Sequence, residues 1–178
     1  LPETVISRCQ TFVFKKPNQS VLKEVVLDVA KKEGFKIEPV SADLIALLGD
    51  GSFRDTLGIV QKIISSSGNS KISLEDVEAV TGAPRNSLVN DFISAIADKD
   101  IKKGLQAVED ALKNNVDMKV YLKMILKKMR FILLLKLSAG AEQAIKEEVS
   151  EEDFLYLKNL SQNKDANITS AILLAMLG

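Results

Sequence analysis

Residues 51–64 read Gly51-Ser52-Phe53-Arg54-Asp55-Thr56-Leu57-Gly58-Ile59-Val60-Gln61-Lys62-Ile63-Ile64. Phe53, Leu57, Val60, Ile63 and Ile64 recur at helical spacing, so this stretch is a helix with one apolar face. Ser52 is placed to cap it, its hydroxyl accepting from a first-turn amide. Arg54 is the anomaly. A cation in the first turn faces the positive end of the helix dipole and is unfavourable there. An anion such as a phosphate, held by Arg54 at the helix start, would reverse that sign. The plainer reading pairs Arg54 with Asp50 or Asp55.

Working upstream, Ser41 opens a short helix carrying Leu44, Ile45, Leu47 and Leu48 that ends near Gly49. Before it, Val21, Leu22, Val25, Val26 and Val29 give a helix from Asn18 to a C-terminal cap at Gly34. Pro17 marks a boundary. Ahead of it, Thr11-Phe12-Val13-Phe14 is β-prone, and Leu1 to Ser7 reads as a helical turn with Pro2 at its first position. A lone strand cannot satisfy its own backbone and implies a sheet completed elsewhere.

Downstream, Ser65 to Ser70 is a polar turn. Ser73 and Asp76 form a capping-box pattern for a fourth helix through Val80, and Gly82-Ala83-Pro84 ends the unit. Longer helices follow over about 86–97, 100–114, 117–138, 151–162 and 165–177, with Ser150 and Asp153 as an N-cap signature for the fourth. The 117–138 segment is apolar on most faces, so it is central in its bundle or buried by a neighbouring subunit. The isolated chain would either self-associate through that helix or stay monomeric. The fold class expected is mainly all-α.

Composition agrees. Hydrophobic residues make up 46%, with two Tyr, seven Phe and no Trp, so the core is aliphatic. Four Pro and nine Gly are too few for a strand-and-turn architecture. The 24 basic and 24 acidic residues balance, which argues against a broad nucleic-acid-binding face. With no His and one Cys, the usual general base, metal ligand, nucleophilic pair and internal disulfide are all excluded. The chain is expected to be cytoplasmic. Its strongest apolar run, Phe131 to Leu135, is far short of the roughly 18 residues of a membrane span, and no signal peptide is visible. Lacking an initial Met and starting in mid-pattern, it reads as a piece of a longer protein.

Two motifs carry a resemblance to a known family. Ser7-Arg8-Cys9 resembles the Ser-Arg-Cys motif of AAA+ sliding-clamp loader subunits. Gly51-Ser52-Phe53-Arg54-Asp55-Thr56-Leu57 is similar to the sensor 2 motif in the lid of the same subunits, most of all to the gamma and tau subunits of bacterial DNA polymerase III. Their order, with a strand, a Pro boundary and two helices between, matches the family layout. The resemblance implies that Arg8 is an arginine finger acting in trans on a neighbour's ATP, with Ser7 and Cys9 in the motif. It implies that Arg54 contacts the phosphates of its own subunit's ATP. A planar, permanently charged fork suits both tasks. Arg8 could equally be a surface or ion-paired residue.

The resemblance further implies three segments: 1–16 as the end of the AAA+ core, 17–84 as the lid, and 85–178 as a helical collar. The parent would be an ATPase of the DNA polymerase III holoenzyme, a nucleotidyltransferase complex, using ATP and Mg to load the sliding clamp on primer-template DNA. Its partners would be the other loader subunits, in a hetero-pentamer held through the collar, with no membrane. No Gly-x-x-x-x-Gly-Lys-Ser/Thr loop or Walker B strand occurs, so this chain alone should use no cofactor and turn over no ATP. Alternatives are a replication factor C small subunit, a RarA-type AAA+ recombination factor, or a helical adaptor unrelated to ATP.

Lys119, Lys123 and Lys127 form a basic stripe, facing DNA or an acidic neighbour, or else lining a solvated edge. Glu147, Glu148, Glu151, Glu152 and Asp153 cluster where a helix start favours negative charge. Cys9 is expected to be buried behind Arg8, and Met118, Met124 and Met129 to pack in the core.

Overall fold

A computed structural model describes residues 8–10, 12, 15–138 and 140–177. The turn expected over 1–7 lies outside the described residues, as do Thr11, Val13 and Phe14 of the expected strand; Phe12 is exposed and in no regular element. Among the described residues there are ten helices and one two-stranded sheet. The mainly helical class therefore holds.

The first unit contains α1 (Gln19–Lys32), β1 (Lys36–Ile37), α2 (Pro39–Leu48), α3 (Phe53–Ser66), β2 (Lys71–Ile72) and α4 (Leu74–Thr81). Asn18 caps α1 by accepting from the Val21 amide, and the chain leaves it through Gly34 at φ +81°. The start of α2 corrects the expectation at Ser41: Pro39 occupies the first turn, its fixed φ preorganised for a helix and its missing N–H not needed there. Ser73 and Asp76 form the full capping box of α4. The sheet was not foreseen. Lys36–Ile37 and Lys71–Ile72 pair in parallel, each just before a helix, and two-residue strands carry no periodicity to read.

The second unit contains α5 (Asn86–Asp98), α6 (Ile101–Lys113), α7 (Met118–Leu137), α8 (Ala141–Lys146), α9 (Glu151–Gln162) and α10 (Ser170–Leu177). The six-residue α8 is additional, too short for a pattern. The last helix begins at Ser170, not at 165. Asn163 accepts from the Asp165 amide in a side-chain turn, and the Asn167 amide donates to the Ala97 carbonyl, clipping an irregular segment onto the end of α5.

One hydrophobic cluster runs through both units, from Val26, Ile45, Val60 and Ile63 to Ile93, Ile125, Met129 and Leu157. Helix α7 is central. It buries Tyr121, Met124, Ile125, Met129, Phe131 and Ile132 and packs on α5, α8, α9 and α10. No helix among the described residues is long and apolar enough to cross a membrane.

Candidate functional site

The turn before α3 sets the site. Gly49 ends α2 so close to α3 that a Cβ there would lie 1.9 Å from Thr56 Oγ1. Asp50 and Gly51 then adopt left-handed backbone, at φ 48° and 79°. A side chain at Gly51 would also crowd Lys16 Cδ, 3.3 Å from a built Cβ, because the segment ahead of α1 passes over this turn. Ser52 Oγ accepts from the Asp55 amide at 3.2 Å, and Thr56 Oγ1 donates to the Ser52 carbonyl at 2.7 Å. The first turn of α3 is thus held from both sides.

Arg54 is the second residue of α3 and is exposed between Phe53 and Leu57, themselves partly exposed. Among the described residues it forms no ion pair with Asp50 or Asp55. Asp50 is engaged elsewhere: Lys119 Nζ donates to it at 3.3 Å, and Lys123 Nζ donates to its other oxygen. Those bonds, Lys123 first, hold its carboxyl below the usual range. Arg8 lies in an exposed turn, and no hydrogen bond or ion pair joins it to Arg54 among the described residues. Ser7 lies outside them. Cys9 is exposed, correcting the expectation of burial: it sits in the turn ahead of α1, where no described element packs over it.

The lysine stripe pairs with carboxylates of its own chain, from an exposed Lys119 to a largely covered Lys127. Lys127 bonds Asp43 of α2 and Glu148, the latter at 3.0 Å, and Gln19 Nε2 donates to the same Asp43 at 3.1 Å. One residue further along α7, the almost fully buried Lys128 donates to both oxygens of Asp153 at 2.9 Å and to Asn90 at 2.8 Å. Burial pulls the Lys128 ammonium below its ordinary pKa, with Asp153 opposing. The acidic cluster therefore serves more than a helix start: Glu148 and Asp153 are the counter-charges of α7. A cavity of about 50 Å³ between the units, lined by Leu44, Leu47, Met124 and Phe131, is far smaller than the ~300 Å³ of small-molecule sites. Among the described residues no group of acidic or sulfur side chains could hold a metal.

What sequence reasoning missed is the exposed apolar face of α6, a helix expected over about 100–114. Ile101, Leu105 and Leu112 are 79%, 68% and 57% exposed, while Ala107 and Ala111 face inward. The signal was present in the spacing of those three residues. An open apolar face thus lies on α6, and most of α7 is covered by its own chain.

Residues 72–168 match the family model of DNA polymerase III subunits gamma and tau, domain III. The chain belongs to that family. It is 36% identical over 123 residues to the DNA polymerase III subunit gamma/tau of Mycoplasma genitalium, covering 69% of this chain and 21% of that protein. To the DNA polymerase III subunit tau of Bacillus subtilis it is 27% identical over 154 residues, 86% of this chain and 27% of that one. It therefore spans about a quarter of the length of these relatives. A solved DNA clamp loader delta protein of Bacillus subtilis superimposes with a TM-score of 0.41 at 20% identity, over 92% of this chain and 57% of that one, too loosely to carry an argument.

Proposed function

We propose that this gamma/tau chain supplies the lid and collar of a clamp-loader ATPase subunit, with 17–84 as lid, 85–178 as collar and 1–16 as the end of the nucleotide-binding core. The observation that carries the reading is Arg54. It is exposed in the first turn of α3, where the dipole disfavours a cation, while one alternative partner, Asp50, is held by Lys119 and Lys123. A phosphate at that helix start removes the conflict. Arg54 then senses the ATP of its own subunit, and Arg8, exposed ahead of α1, reaches the ATP of a neighbour. Family membership supports the gamma/tau reading over replication factor C and RarA-type proteins.

ATP and Mg would be bound mainly by residues outside this chain, which contains no phosphate-binding glycine loop. The full subunit, with its loader partners, would use ATP to place the sliding clamp on primed DNA. Two variants in a reconstituted loader test the assignments. Arg8→Ala should lower ATP turnover by about 10³-fold or more with near-normal ATP binding, as for loss of an arginine finger. Arg54→Ala should weaken ATP binding by roughly 10–100-fold, the worth of a charge-assisted phosphate contact. Unchanged turnover in the first, or unchanged affinity in the second, would sink the corresponding role.

A further inference from the structure

We infer that Lys119 and Lys123 of α7 are positioning residues for Arg54: they engage Asp50 and so keep Arg54 free for a phosphate. The inference rests on the ATP-sensing role proposed for Arg54. Asp50 is the one acidic residue of the turn 49–52 and lies four positions ahead of Arg54. Its backbone is left-handed, at φ 48°. Gly and Asn suit that conformation as well as Asp does, so the backbone alone does not call for a carboxylate. A carboxylate beside an anion site is a liability there. It repels the phosphate and offers Arg54 a competing partner. The other acidic neighbour, Asp55, follows Arg54 directly within α3, and consecutive helical residues do not face each other.

The structure removes the competitor with charges from the second unit. Lys119 and Lys123, one turn apart on α7, take one Asp50 oxygen each, and neither has another acidic partner among the described residues. The next lysine of the row, Lys127, holds Asp43 of α2, to which Gln19 also donates. The two ends of the row differ in exposure. Lys127 and Asp43 are largely covered, whereas Lys119 and Asp50 are 73% and 53% exposed, a weak and salt-screened kind of pair. An open groove of about 310 Å³, lined by Leu47, Gly51, Lys123 and Leu126 among others, lies between α7 and the turn. Ion pairs rather than apolar packing therefore join the two at this end. A tilt of α7 about the Lys127–Asp43 link releases Asp50 to Arg54, and the affinity for phosphate falls. The second unit thereby gates the anion site of the first.

Equilibrium binding of a non-hydrolysable ATP analogue to the full-length subunit in a reconstituted loader, at low ionic strength, tests the inference. Lys119→Met with Lys123→Met keeps the aliphatic stems but donates nothing to Asp50, and the variant should remain folded by circular dichroism. It should bind about 3–5-fold more weakly, the worth of one exposed ion pair that the nucleotide must displace. The loss should shrink as salt is raised. Adding Asp50→Asn to the two lysine replacements should restore most of the affinity, whereas a merely structural role for the lysines would leave it low. In an Arg54→Ala background the same lysine replacements should cause no further loss. Unchanged affinity in the lysine variant, a loss that persists at high salt, no recovery with Asp50→Asn, or an equal loss without Arg54 would each overturn the inference and leave the sensing role standing. Parental affinity in Arg54→Ala alone would instead end the sensing role, and the inference with it.

Discussion

Gly49 shows how one residue sets the approach of two helices. Its backbone is ordinary, so conformational freedom is not why it is glycine. The reason is contact: a methyl group there would meet the side chain of Thr56, which is buried and hydrogen-bonded to the Ser52 carbonyl. Gly49→Ala should destabilise the chain by about 1–3 kcal/mol through overpacking, read as a lower urea midpoint with an unchanged slope. A midpoint equal to that of the parent would show that α2 and α3 can part without cost. The sequence marked Gly49 only as a helix end, because a contact seven positions away depends on how the turn folds back. Arg54 was more legible. Its conflict with the helix dipole can be read from a cap and a period, whereas the loss of its rival partner Asp50 to α7 cannot.

Helix α7 carries two kinds of cation, Lys123 and Lys128, that sequence treats alike. Lys123 is part-exposed and bonds an exposed Asp50; Lys128 and Asp153 are each only 7% exposed. Lys123→Ala should cost about 0–1 kcal/mol, as for other surface pairs. Lys128→Ala should cost about 3–5 kcal/mol, because Asp153 would stay buried without its counter-charge. Chemical denaturation of both variants checks the contrast, and equal losses would contradict the burial on which it rests. The periodicity of α7 foretold a central helix. Which lysine would be buried follows from α9 bringing Asp153 alongside, a long-range placement with no local mark.

At the scale of the molecule, both tyrosines lie in the second unit and act as reporters on it. Tyr121 donates to the Leu88 carbonyl at 3.1 Å and Tyr156 to the Asn90 carbonyl at 2.8 Å. Burial pushes both phenols up to about 12. A raised folded-state pKa favours the folded chain fully below the unfolded value near 10 and less as pH rises toward 12. Tyrosinate absorbance should therefore lag behind that of the denatured chain above pH 10. The two units share one core and the Lys127–Asp43 link. Helicity lost at alkaline pH should accordingly follow the same curve as tyrosinate formation. Separate curves would mean that the first unit, which has no tyrosine, unfolds independently.

Helix identity, caps and the mainly helical class were determined by the sequence, because periodicity, Ser and Asn caps and glycine exits act within a few residues. The same holds for the two arginine motifs and their order. Tertiary structure alone decided the rest. It paired the Lys119–Lys123–Lys127 stripe with Asp50 and Asp43, packed α7 centrally within its own chain and left an apolar face open on α6. An amphipathic pattern says that a face must be covered but not by what. Only the packed arrangement shows which faces the chain has already covered itself.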